Sequence, residues 1–167
     1  MSKVLIWVAQ CGFRDEELFE PVKVLEDAGI EIDIVSHESG KASSKAGVTI
    51  PVGSLGEASL EDYDAFLLIG GPGTLQYLDD AELHRAVRSA HGVCRLIGAI
   101  CFSPNILAKA GILSGRAACV WQPPGVLPSC GCACVKGPVH ADGGIITADG
   151  PLAATKWGEA IRDALRR

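Results

Sequence analysis

Short runs of β-branched and aliphatic residues alternate along this chain with stretches whose apolar positions recur every three or four residues. Residues 3–9 form an apolar run that predicts a first buried strand. Residues 15–28 predict a helix with Leu18, Val22 and Leu25 on one face, closed by Gly29, and residues 31–35 predict a second strand, which completes a βαβ unit. Farther on, 48–52 reads as a short extra strand, 65–69 as a buried one, 80–90 as a polar-faced helix and 95–100 as another buried strand, followed by a helix at 105–110. A strand at 116–120 leads into the proline-rich turn Gln122-Pro123-Pro124-Gly125, two strands at 137–140 and 144–148 flank the Asp142-Gly143 turn signal, and 151–165 closes the chain as a helix. Apolar strands in alternation with helices imply an α/β fold: a mostly parallel sheet covered on both faces, because right-handed crossovers put helices on each side.

Composition narrows the picture without changing it. With 167 residues, 48% of them hydrophobic and 21% charged, the chain can bury a substantial core and is expected to form one domain over its whole length. The net charge of −5, with no basic cluster longer than Arg166-Arg167, argues against nucleic-acid or membrane surfaces and leaves small molecules or peptides as expected partners. The first apolar run is too short for a leader and no run reaches membrane-spanning length, so a cytoplasmic location is expected. Seven cysteines, an odd number in a chain of this size, fit reduced thiols better than a disulfide framework.

The candidate chemistry lies where the 95–100 strand ends. Cys101 follows Gly98-Ala99-Ile100 and precedes Phe102-Ser103-Pro104, so a thiol sits at a strand-to-helix turn, the arrangement of a nucleophile elbow. Free N–H groups and the positive end of the following helix would favour thiolate there, although a cysteine ending an apolar strand is also a common inert core residue. Gly70-Gly71-Pro72-Gly73, after the third buried strand, lets backbone N–H groups approach a reacting atom and could complete an oxyanion hole with the N–H of Phe102. The same glycines could equally form a plain tight turn; they lack the spacing of a phosphate-binding loop, and no cofactor is expected. Of the acidic residues Asp15, Glu16, Glu17 and Glu20, most should be solvated at a helix N-terminus; one that faced inward beside the thiol would have its carboxyl raised and could hydrogen-bond sulfur.

Taken together, the segment Gly12-Phe13-Arg14-Asp15-Glu16-Glu17-Leu18-Phe19-Glu20-Pro21, the Ile69-Gly70-Gly71 turn, the Ala99-Ile100-Cys101 elbow with Leu107-Ala108-Lys109-Ala110-Gly111, and the 142–151 tail resemble the ThiJ/PfpI superfamily. That resemblance implies a flavodoxin-like three-layer sandwich, a homodimer or higher homo-oligomer, and a reactive elbow cysteine. It puts Glu17 in the place of the glutamate that hydrogen-bonds the cysteine, and gives Gly71 and Phe102 as backbone donors of the anion pocket. The activities it implies are glyoxalase- or deglycase-like chemistry on reactive carbonyls and PfpI-like amide hydrolysis. The chain departs from the pattern at the base. Phe102 stands where some members carry histidine, and residues 119–123 contain none where others supply it.

Of the four histidines, His37 stands at the right sheet end and is the first to test as a replacement; surface or core roles suit His84, His91 and His140. Cys11 is a candidate accessory thiol near the site, and Cys94 and Cys119 read as core. On a strand, Cys130, Cys132 and Cys134 would line one face about 7 Å apart, which a soft metal could use but which equally describes a small-residue packing strand; no metal is expected. Two functions follow: a cysteine-dependent enzyme using Cys101, Glu17, Gly70, Gly71 and Phe102, or a non-catalytic redox or stress sensor whose cysteine is oxidised.

Overall fold

A computed structural model describes residues 1–121 and 125–167; the Gln122-Pro123-Pro124 part of the expected turn lies outside the described residues. The strands are β1 (Lys3–Trp7), β2 (Cys11–Phe13), β3 (Glu31–Ser36), β4 (Gly40–Ser44), β5 (Thr49–Ser54), β6 (Ala65–Leu68), β7 (Leu96–Ile100), β8 (Ala117–Ala118), β9 (Ala133–Cys134), β10 (Val139–Asp142) and β11 (Ile145–Ala148). The helices are α1 (Asp15–Asp27), α2 (Ala81–Val93), α3 (Pro104–Lys109) and α4 (Ala154–Leu165). Nine strands form one sheet in the order β10-β11-β7-β6-β1-β3-β5-β4-β2, parallel from β11 through β5, with antiparallel pairs only at β10-β11 and β4-β5.

The alternation in β1 shows why three layers form. Val4, Ile6 and Val8 point into a core shared with Leu18 and Leu25 of α1 and Trp157 and Ile161 of α4. Leu5, Trp7 and Ala9 point the other way, against Leu83, Val87 and Ala90 of α2 and Ile106 and Leu107 of α3. A strand buried on both faces has to be apolar at every position, and each large side chain fully removed from water stabilises the fold by about 1.5–3 kcal/mol. The chain is therefore the expected α/β sandwich with a mostly parallel sheet. Two glycines set the close approaches on the α1/α4 side. A Cβ at Gly98 would stand 2.6 Å from Leu67 and 2.9 Å from Trp157, and one at Gly158 would stand 2.8 Å from Pro21, where α1 and α4 cross.

Several expectations need correction. β2 and β4 have no counterpart in the hydrophobic pattern, because β2 is the edge strand, β4 lies next to it, and Ala42 and Phe13 are their only fully buried side chains. The strand expected at 116–120 is only two residues long and pairs with β9 in a separate ribbon. The three thiols at 130–134 do not share a strand: Cys130 closes a 3-10 turn, Gly131 reverses the chain at φ +74°, and only Cys134 lies in β9. Cys132 is buried, while Cys130 and Cys134 pack half-buried against the α2/α3 core. Among the described residues no group of three or more His, Cys, Asp or Glu is arranged to hold a metal ion. Cys119 is core, but Cys94 is only half-buried. Among the described residues, no helix is long and apolar enough to cross a membrane.

Candidate active site

Three adjacent parallel strands, β1, β6 and β7, end side by side, and the segments that leave them meet beyond their carboxyl ends, where open α/β sheets place their ligands. At the end of β7 the chain turns so sharply that Cys101 takes φ +66°, and among the described residues no other non-glycine has a positive φ. Such a conformation persists only when its surroundings over-determine it. Here the Cys101 N–H donates to Ala148 O at 3.0 Å, Cys101 O accepts from Trp121 N at 2.8 Å, and the buried Ser103 hydroxyl donates to Ile69 O at 2.7 Å, tying the elbow to β11 and to the β6 turn.

The glycine turn after β6 has no room for side chains. A Cβ on Gly70 would lie 2.6 Å from Cys101 Cβ and 2.7 Å from Glu17 Oε2; one on Gly71, at φ +118°, would lie 2.5 Å from Arg14 N. The absence of both Cβ atoms lets α1 begin against the elbow, with Arg14 N–H donating to Gly70 O at 3.0 Å. Glu17, in the first turn of α1, is thereby carried inward and is fully buried. Its Oε2 accepts the Gly70 N–H at 2.9 Å, whereas Oε1, also buried, has no hydrogen-bond partner. The N–H of Gly70 is thus taken up by Glu17 and not free for an oxyanion; the N–H groups of Gly71 and Phe102 are the ones that face the Cys101 sulfur.

Burial pushes the Glu17 carboxyl up to about 7, against the pull of the adjacent Cys101 thiol, the Gly70 N–H and the Arg14 charge. Burial also raises the Cys101 thiol, and the neighbouring Glu17 charge raises it further, while the Gly71 and Phe102 N–H groups draw it back. Burial and the Glu17 charge therefore oppose the thiolate that the donors of the turn favour.

A cavity of about 440 Å³ opens onto this pair. Cys101, only 4% exposed, and Glu17 form its floor, with Gly71 and Phe102 beside them; Trp121, Pro72 and Pro151 wall it, and Arg14 and Lys45 stand on its lining. Arg14 and Pro151 fall inside the resembling segments without being singled out there, and Lys45 and Trp121 belong to no motif; Lys45 is brought in by its backbone, whose N–H donates to Phe13 O at 2.7 Å.

The remaining candidates lie elsewhere. Cys11 is exposed on β2 and does not line the cavity. His37 accepts from Trp7 Nε1 at 3.4 Å through Nδ1, pairs through Nε2 with Asp80 Oδ1 at 2.9 Å, and packs against Tyr77 with ring centroids 4.7 Å apart. That cluster lies on the α2 side of the sheet. His84 contacts Leu78 O at 2.8 Å, and none of the four histidines is among the residues lining the Cys101 cavity.

An α/β sandwich with a strained cysteine elbow, a glycine turn and a buried glutamate defines a class of cysteine-centred proteins. The chain belongs to the DJ-1/PfpI family, whose profile matches residues 2–164. It is 35% identical over 171 residues to an uncharacterised protein of Methanocaldococcus jannaschii, covering 99% of this chain and 83% of that one. It is also similar to a deglycase of Thermococcus kodakarensis, 33% identical over 68% of this chain and 69% of that protein, and to general stress protein 18 of Bacillus subtilis, 30% identical over 71% and 70%. Among solved structures, a ThiJ/PfpI domain protein from Brachyspira murdochii superposes with a TM-score of 0.93 at 24% identity, covering 98% of this chain and 96% of that one.

Proposed function

We propose that this protein is a cysteine-dependent enzyme acting on small reactive carbonyls, in which Glu17 is the base that a histidine would otherwise supply. The observation that carries the reading is the unpartnered, fully buried Oε1 of Glu17 beside the Cys101 thiol at the floor of a cavity. A base poised near pH 7 is best matched to proton transfer at neutral pH. Deglycase-named relatives support carbonyl chemistry in the family.

On a 2-oxoaldehyde, the Glu17 carboxylate takes the thiol proton as sulfur bonds to the aldehyde carbon. The carbonyl π electrons move to oxygen, where the Gly71 and Phe102 N–H groups hold the developing charge. Glu17 returns that proton to the oxyanion, giving a hemithioacetal. It then removes the proton from the former aldehyde carbon while the C2 oxygen takes one from water, giving an enediol; protonated Glu17 delivers its proton to C2 as the C1 hydroxyl gives its own back to the hydroxide left by that water, and a thioester remains. Water hydrolyses the thioester and restores the thiol, so the sum is oxoaldehyde plus water to 2-hydroxy acid.

Lactate formation from methylglyoxal by the wild type, absent in Cys101→Ala, is the expected result, with kcat/KM rising with pH through about 7 as Glu17 loses its proton. Turnover retained in Cys101→Ala, or none in the wild type, would overturn it. The lack of a histidine on the cavity favours a second reading, a sensor in which Cys101 is oxidised by peroxide without turnover; wild-type protein that yields no lactate yet is oxidised at Cys101 by stoichiometric peroxide would establish it.

A further inference from the structure

We propose that the Cys101 cavity selects carbonyl compounds that carry a carboxylate, with Arg14 and Lys45 as the residues that bind it. The inference rests on the carbonyl reading above and specifies its substrate class.

The cavity has a polar gradient. At its floor lie the Cys101 thiol and the Glu17 carboxyl; Trp121, Pro151 and Phe102 give it an apolar wall, and Arg14 and Lys45 are the cations on its lining. Both cations also line a second, shallower hollow of about 210 Å³ with Asp15, Glu16 and Ala46, so they stand where the cavity meets solvent.

Each nearby carboxylate has a partner on one oxygen, although Asp15 Oδ1 is buried without one. Glu16 Oε2 takes Arg14 Nε at 2.8 Å, which fixes the guanidinium without using its Nη groups. Asp15 Oδ2 accepts the Ala46 N–H at 3.1 Å, which sets the loop that carries Lys45. Among the described residues Lys45 has no ion-pair partner.

An isolated exposed lysine would mean little. Here two cations from different segments, joined by the Lys45 N–H to Phe13 O bond, line the cavity that opens onto the Cys101 sulfur. A guanidinium is a strong donor to planar carboxylates. A carbonyl carbon over Cys101 with an adjoining carboxylate directed at Arg14 and Lys45 satisfies both ends of the cavity, and a neutral aldehyde satisfies one.

Alkylation of Cys101 tests this without assuming turnover, because iodoacetate and iodoacetamide differ in charge and share a leaving group. Rates are read by mass spectrometry on the Cys101 peptide, and their ratio is compared with that of free cysteine. The expected acetate-to-amide ratio is about three- to tenfold above free cysteine at low salt, falls towards it in 0.5 M NaCl (a concentration of roughly that order suffices to screen exposed charges), and falls likewise in Arg14→Met/Lys45→Met. A ratio that the double variant leaves unchanged overturns the proposal.

Should Cys101 resist both reagents, tryptophan fluorescence titration decides. Glyoxylate should bind the wild type more tightly than methylglyoxal does and lose that advantage in the double variant; equal binding, or an advantage retained, overturns it. Loss of methylglyoxal turnover alone removes the catalytic reading and leaves this charge selection standing.

Discussion

Two carboxyl groups near the carboxyl ends of the same sheet have opposite fates. Asp80 caps α2 by accepting the Leu83 N–H at 2.8 Å and at the same time holds His37 at 2.9 Å. Both contacts converge on Asp80 Oδ1, both ring nitrogens of His37 find a partner, and Trp7 and Tyr77 close around the pair. Glu17 is more deeply buried yet keeps one oxygen without a partner, with a thiol and an open cavity beside it. A histidine–carboxylate pair would ordinarily attract the catalytic assignment. In the function we propose, the His37–Asp80 pair braces the fold, and Glu17, whose partnerless oxygen lies beside the thiol and the cavity, is the carboxyl that does chemistry.

The sharpest way to break this comparison is to change Glu17 itself. Glu17→Gln keeps the shape and the contact with Gly70 but removes the base, and should lower methylglyoxal turnover by about 10²–10⁴-fold. Stability should respond in the opposite sense. Because burial raises the folded carboxyl to about 7, the folded state binds this proton more tightly than the unfolded chain does. The contribution is fully present below the unfolded value and is lost as pH rises through 7. Denaturant unfolding of the wild type should therefore lose up to about 3 kcal/mol between pH 4 and 8 relative to Glu17→Gln.

Gly70→Ala drives a methyl group against Cys101, Ile100 O and Glu17, and should cost about 1–3 kcal/mol in the same assay while displacing the pair. The smallest effect belongs to the other cluster: Asp80→Ala should cost about 1 kcal/mol through the lost cap and leave alkylation of Cys101 unchanged.

How much of this can be read in the sequence depends on whether a residue's role is local. The elbow is legible because an uninterrupted apolar strand ends in cysteine, with Gly98 and Ala99 before it. The buried strands are legible for the same reason. Glu17 cannot be told from Asp15, Glu16 and Glu20 by residue type; the family resemblance singles it out, and the glycine turn 53 residues farther on explains its burial. Lys45 carries no signal and Arg14 is not singled out within its segment, since a hydrogen bond between remote backbone segments brings them to one opening. The 130–134 thiols misled because strict alternation imitates a strand, whereas Gly131 turns the chain between the first and second of them. His37 misled because its position at the sheet end is right while its side chain packs toward Trp7 and Asp80.

The central claim is that the Glu17 carboxyl and the Cys101 thiol form one proton-sharing unit. The pH dependence of Cys101 alkylation in the wild type and in Glu17→Gln tests it most directly. The midpoint should lie above the ordinary thiol value in the wild type and fall by about one pH unit or more when the neighbouring charge is removed. A midpoint that Glu17→Gln leaves where it was would contradict the account.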